Sequence, residues 1–128
     1  MQNDKAKFKI EFIKRLIRFS LEVIKFCNEI RTDRNLWAVA DQLLRSATSV
    51  GANVIEAKSC GSKKDYIRFF EIALRSANET KYWLILVKEG NQKFSSSAEI
   101  LLKEASEIAN IIGAGIITMK GKRSNFTL

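Results

Sequence analysis

Lys7, Glu11, Lys14, Arg18, Glu22, Lys25 and Glu29 fall on one narrow stripe when the first thirty residues are wound as a helix. The rest of that helix is largely apolar. Ile10, Ile13, Ile17, Leu21 and Ile24 form one row, and Phe12, Leu16, Phe19, Val23, Phe26 and Ile30 form another. A helix resting on a single core needs an apolar stripe only a little over ~100° wide. Here the apolar arc covers well over half the circumference. One row can face the chain's own core, and the other needs a second surface. A single copy rarely exposes a patch of that size. The expectation is therefore a homo-oligomer, with its contacts on the first two helices.

The remainder of the chain has the same helical period. The 128 residues contain no proline, which suits long uninterrupted helices, since proline inside a helix costs about 3 kcal/mol. Helix 1 is expected from about Lys5 to Glu29, followed by a polar turn, RTDRN, with Thr32 or Asp33 as N-cap. Helix 2 is expected from about Asn35 to Lys58. Leu36, Ala40, Leu43, Ala47, Val50 and Val54 form its seam, widened by Trp37, Leu44 and Ile55. After the turn KSCGS, Ser62 and Asp65 resemble a capping box opening helix 3, about Lys63 to Glu89. Its core row is Tyr66, Phe70, Ala73, Ala77, Leu84 and Val87, with a ladder of Glu71, Arg75 and Glu79 outside. Gly90 and Asn91 end it. Ser96 and Glu99 make the cleanest capping box, and helix 4 follows from about Ser97 to Met119 on Leu101, Ala105, Ile108 and Ile112. Gly113 and Gly115 either weaken its last turns or admit another backbone.

Four long helices joined by short turns read as an all-α, antiparallel up-down-up-down four-helix bundle. The bundle domain is expected over residues 1–120, with a basic tail over 121–128. No segment alternates with period two, so strands are not expected. The match LRSA at 44–47 and 74–77 is too short to signal a repeat architecture.

Two stretches, LLRSATSVGANVIE (43–56) and ALRSANETKYWL (73–84), are crowded with small uncharged polar residues. Such residues suit close helix–helix contact, where buried hydroxyls and amides must find partners. Arg45, Ser49, Asn53, Glu56, Asn78 and Glu79 are the expected members of a structural polar network. Arg45 and Glu56 lie eleven residues apart, about 16 Å of helical rise, so each must look to another helix or another copy.

Much chemistry is excluded. The chain has no histidine, which removes Glu-x-x-His di-iron sites and histidine-dependent hydrolysis. No Walker loop, dinucleotide fingerprint or zinc spacing is present. Cys27 reads as a core residue and Cys60 as a loop thiol without a histidine partner. No enzyme activity, cofactor, metal site or small-molecule substrate is expected. The start of the chain lacks a signal-peptide core, and IANIIGAGIITM (108–119) is too short for a bilayer that needs about 20 apolar residues. The expected location is cytoplasmic, with no membrane partner.

The charge is the positive clue. Twenty-two Lys and Arg against fourteen Asp and Glu give a net +8, which favours an anionic partner such as RNA or DNA. Lys58, Lys63, Lys64 and Arg68 surround the helix 2–3 turn, and Lys120, Lys122 and Arg123 close the chain. An antiparallel bundle places both groups at one end, together with Lys5, Lys7 and Lys9. Lys58, Lys63, Lys64, Arg68, Lys120, Lys122 and Arg123 are the candidate nucleic-acid contacts. Backbone-driven binding with little sequence selectivity is expected.

The segments LLRSATSVGANVIEA (43–57) and SKKDYIRFFEIALRSANETKYWL (62–84) resemble the bacterial four-helix-bundle family encoded in intervening sequences of 23S rRNA genes. The likeness rests on Asn53-Val54-Ile55-Glu56, where the family has an Asn-Ile-Ala-Glu-like turn, on Asp65-Tyr66-Ile67, and on Phe69-Phe70. Val54 and Ile55 replace the usual Ile and Ala, and Ala57 stands where glycine is common. The resemblance spans nearly the whole chain. It implies four antiparallel helices, a ring-like homopentamer, and a non-enzymatic protein of largely unestablished function. A related branch, the accessory variability proteins of diversity-generating retroelements, is basic, binds nucleic acid and associates with a reverse transcriptase. An adaptor recruiting such a protein partner is the alternative reading.

Overall fold

The computed structural model describes residues 2–121. Four helices dominate them: α1 (Gln2–Ile30), α2 (Trp37–Lys58), α3 (Lys63–Gly90) and α4 (Ser95–Gly121). They run up, down, up and down. The turns of α1–α2 and α3–α4 lie at one end of the bundle. The α2–α3 turn, the start of α1 and the end of α4 lie at the other. Of the tail expected over 121–128, Gly121 completes α4 and the rest lies outside the described residues.

Local chemistry sets the helix ends. The Asp33 carboxylate accepts from the Asn35 amide at 3.0 Å and starts a 3-10 turn, Arg34–Leu36, that leads into α2. Thr32 instead donates back to the Glu29 carbonyl. Ser62 caps α3, its hydroxyl accepting from the Asp65 amide at 3.2 Å. The start of α4 departs from expectation. Asn91 accepts from the Phe94 amide and opens a 3-10 turn, Gln92–Phe94, so the chain is already helical at Ser95. Glu99 does not turn back to the cap; it pairs with Lys88 at 2.5 Å across the α3–α4 gap. Asn91 also donates to Asp33 at 3.3 Å, joining the two turns of that end.

The core follows the periodicity. Phe12, Leu16, Phe19, Val23, Phe26 and Ile30 of α1 are buried against Ala40, Leu43, Ala47, Val50 and Val54 of α2. Phe70, Ala73, Ala77, Leu84 and Val87 of α3 and Leu101, Ala105, Ile108 and Ile112 of α4 complete it. Cys27 is a core residue whose thiol, pushed up to about 11 by burial, donates to the Ala40 carbonyl. Tyr66 is half-buried and stacks on Phe70 with ring centroids 5.0 Å apart.

Of the second apolar row of α1, Ile13 packs partly against the core and the other four residues stay outside. Ile10, Ile17, Leu21 and Ile24 are 55%, 50%, 61% and 39% exposed. Trp37 and Ile55 do not widen the α2 seam; both face solvent on the same side as that row. The expected ladder on α3 does not form either. Glu71 takes Lys120 of α4 at 2.7 Å, and the Trp83 indole donates to Glu79 at 3.0 Å.

One ion cluster ties α1 to α4. Arg15 donates to both Glu104 oxygens at 2.7 Å and to Glu107 at 2.7 Å. These donated bonds hold the Glu104 carboxyl below the usual carboxylate range, against an opposing desolvation effect. The ion-paired contribution is therefore complete above an ordinary carboxylate value of 4.5 and is lost as pH falls through the lowered folded value. Glu104→Gln should lower the melting temperature at pH 7, and the gap from the parent chain should close on titration below pH 4.5, as followed by thermal circular dichroism.

Gly113 sits inside α4, and a Cβ built there meets nothing within 4 Å. Its helix continues through it without a break. Replacing it by alanine removes backbone entropy from the unfolded chain without a clash, worth roughly 0.5–1 kcal/mol. Gly113→Ala should raise unfolding free energy by that amount in urea titration.

Candidate functional site

The small polar residues of α2 and α3 meet each other. The Thr80 hydroxyl donates to the Ser76 carbonyl at 2.7 Å and lies 3.0 Å from the Ser46 hydroxyl. The Ser49 and Ser76 hydroxyls pair at 3.0 Å, and the Asn53 amide donates to the Ser49 carbonyl and hydroxyl at 2.8 and 2.9 Å. The antiparallel register thus sets Ser46 opposite Thr80 and Ser49 opposite Ser76. The echoed LRSA segments supply small residues to both sides of one seam.

Of the expected network, the seam gathers Ser49 and Asn53. Arg45 is exposed and donates to Gln42 within its own helix. Glu56 and Asn78 are exposed, and Glu79 is taken by Trp83. The expected network omits Ser46 on α2 and, on α3, Ser76 and Thr80. The i, i+4 spacing of Ser76 and Thr80 was the available signal. Among the described residues, no buried side-chain nitrogen or oxygen lacks a partner. Among the described residues, no group of three or more acidic or thiol side chains could hold a metal.

The cationic end is different. Lys63, Lys64, Arg68 and Lys120 line one open depression of ≈ 500 Å³, with Ile67 as its apolar patch and Glu71 as its acidic member. The Ser62 cap fixes the first turn of α3, which brings Lys63 and Lys64 to the rim and leaves Arg68 one turn on. Arg68 lies over the Phe69 ring at 4.6 Å and 3.7 Å from Asp65. Lys120 reaches the same place from the last turn of α4, where it meets Glu71. Neither ion pair is buried: the side chains are 57% and 43% exposed for Lys120 and Glu71, and 57% and 52% for Arg68 and Asp65. Lys58 is exposed at the close of α2, at the same end. Lys122 and Arg123 lie outside the described residues.

Each such pair is weak in water, on the order of 1 kcal/mol or less. An incoming phosphate can displace the carboxylate partner at little cost. The depression can therefore bind an extended polyanion, while it lacks the enclosure and converging polar groups of a small-molecule pocket. Among the described residues, no helix is long and apolar enough to cross a membrane.

The comparisons agree with this architecture. No curated protein matches the chain. A protein of unknown function from the S23 ribosomal protein family of Bacteroides thetaiotaomicron VPI-5482 has a similar crystal structure, with a TM-score of 0.77 at 28% identity. The match covers 82% of this chain and 97% of that one. The model of the 23S rRNA-intervening sequence protein family matches residues 9–114, from the first turns of α1 nearly to the end of α4. The chain belongs to the family of 23S rRNA-intervening sequence proteins.

Proposed function

We propose that this protein is a non-enzymatic homo-oligomer that binds nucleic acid through the cationic end of each bundle. The reading is carried by one observation: Lys63, Lys64 and Arg68 from the start of α3 and Lys120 from the last turn of α4 share one depression. Lys58 and the lysines at the start of α1 belong to the same end. The N-terminus of α3 adds the partial positive charge of its helix dipole. With the copies aligned, these ends form a broad positive surface matched to a phosphate backbone rather than to a particular base sequence. The resemblance to a ring-like pentamer supplies a shape for that surface, and RNA and DNA both fit its chemistry.

The non-enzymatic part of the reading is supported by the arrangement of the charged groups. Arg45, Glu56 and Glu79 stand at the surface and do not converge, and the chain has no histidine to move protons near neutral pH.

An adaptor role toward a protein partner has its own observation in favour. Tyr82, Ile85 and Leu86 are 54%, 42% and 39% exposed on the outside of α3. On that reading the positive charge serves solubility.

Fluorescence anisotropy with structured RNA and duplex DNA, measured across a salt series, tests the main reading. Binding should weaken linearly in log–log form, losing close to one power of salt concentration for each phosphate neutralised on duplex DNA. The variant Lys63→Glu/Lys64→Glu/Arg68→Glu should bind at least about tenfold more weakly while retaining its helicity. Absence of binding at low salt, or an unchanged affinity in the variant, would contradict it.

A further inference from the structure

The uncovered row of α1 does not stand alone. Ile17, Ser20 and Leu21 of α1 face Thr48, Gly51, Ala52 and Ile55 of α2 across a hole of ≈ 180 Å³, with Leu16 at its floor. The hole exists because small residues line its α2 side. Gly51 lies against Leu16: a Cβ built there would meet the Leu16 Cβ at 3.6 Å, an ordinary contact, so the missing side chain leaves room rather than relieving a clash. Around it rise Ile10, Ile17, Leu21 and Ile24 on α1, and Ile55 and Trp37 on α2. No ionisable side chain lines the hole. Near the α1–α2 turn, Arg31 and Asp41 neutralise each other at 2.8 Å.

We infer that this α1–α2 face is the surface on which a second copy of the chain seats, with one large apolar side chain of that copy filling the hole between Ser20 and Ala52. The inference rests on the reading above that the protein works as an oligomer, and it assigns the surface.

Three observations select the occupant. The first is size. Six large apolar residues between 39% and 61% exposed leave several hundred Å² of apolar surface. That matches or exceeds the largest patch of a typical monomer, about 300–600 Å², and supplies much of the ~800 Å² each partner gives a stable interface. The second is composition. Charge is depleted at the centre of the face, although 28% of the residues are charged, and permanent self-association surfaces are depleted in this way. The third is the border. The stripe that bounds the face on α1 alternates Lys7, Glu11, Lys14, Arg18, Glu22, Lys25 and Glu29. Four cations against three anions leave it nearly neutral, whereas a helix lying on an anionic bilayer carries a cationic border. The face is also separate from the cationic depression, so copies can dock without bringing those lysines into contact.

Leu21→Glu places a charge on the face, and Ala52→Trp plugs the hole. Both residues are exposed in the single bundle, so neither change disturbs the core. Native mass spectrometry and circular dichroism at micromolar concentration read the result. The parent chain should appear as a multiple of 14.6 kDa. Each variant should keep its helicity and cooperative melting, yet fall to the single-chain mass or weaken association at least about tenfold. Lys63→Glu/Lys64→Glu/Arg68→Glu should assemble like the parent. If the parent assembles and both variants assemble equally well, the assignment of this face is overturned while the oligomeric reading stands. A parent that is a single chain overturns both. A single-chain parent that binds phosphatidylcholine–phosphatidylglycerol vesicles, and loses that binding in Leu21→Glu, overturns the inference in favour of lipid as the occupant.

Discussion

A four-helix bundle buries one face of each helix, and α1 has two apolar faces. That mismatch shapes the rest of the molecule. The row containing Phe12, Leu16, Phe19 and Val23 goes inside because its aromatic rings fill the space left by the small residues of the facing helices, among them Ala40, Ala47, Ala73, Ala77 and Ala105. Large side chains opposite small ones give an interlocked core. The row of Ile10, Ile17, Leu21 and Ile24 is then turned outward on the α2 side. The charged stripe separates it from the cleft toward α4, where Arg15 clamps Glu104 and Glu107.

The α2–α3 seam answers a different need. Alanine, serine and glycine allow close approach, and the hydroxyls left inside must be paired. Ser46 with Thr80 and Ser49 with Ser76 satisfy one another across the interface. An antiparallel pair shifted by a turn would lose these two cross-helix hydrogen bonds, each worth about 0.5–1.5 kcal/mol net. The seam therefore fixes the register of α2 against α3. In doing so it sets the height at which Lys58, Lys63, Lys64 and Arg68 present themselves. The small-residue seam thus helps to position the cationic end.

Much of this was legible in the residues. The buried rows of all four helices follow from the 3.6-residue period, and the caps Asp33 and Ser62 stand where their residue types place them. What escaped was information that periodicity does not carry. A helical wheel gives angles but not which of two apolar arcs points inward, so it does not tell that Trp37 and Ile55 face solvent. A local motif loses to a stronger distant partner: Glu99 leaves its capping box for Lys88, and Glu71 leaves its ladder for Lys120. The expected network shared this weakness. Charged Arg45 and Glu56 avoid burial because taking an ion out of water is costly, and neutral Ser76 and Thr80 take the inner positions instead. The family, by contrast, was readable from the most specific stretch, Gln42 to Leu84, because the small-residue seam and the capped turn are themselves the features that build the fold.

On the proposed reading, the outer row of α1 is covered when the protein is at work. Hydroxyl-radical footprinting of the intact protein at micromolar concentration measures this residue by residue. In the single bundle Leu21 and Ile117 are both open, at 61% and 74% exposure. Assembly through this face should protect Ile17, Leu21 and Ile55 strongly relative to Ile117 on α4. Labelling of Leu21 as readily as Ile117 would contradict it.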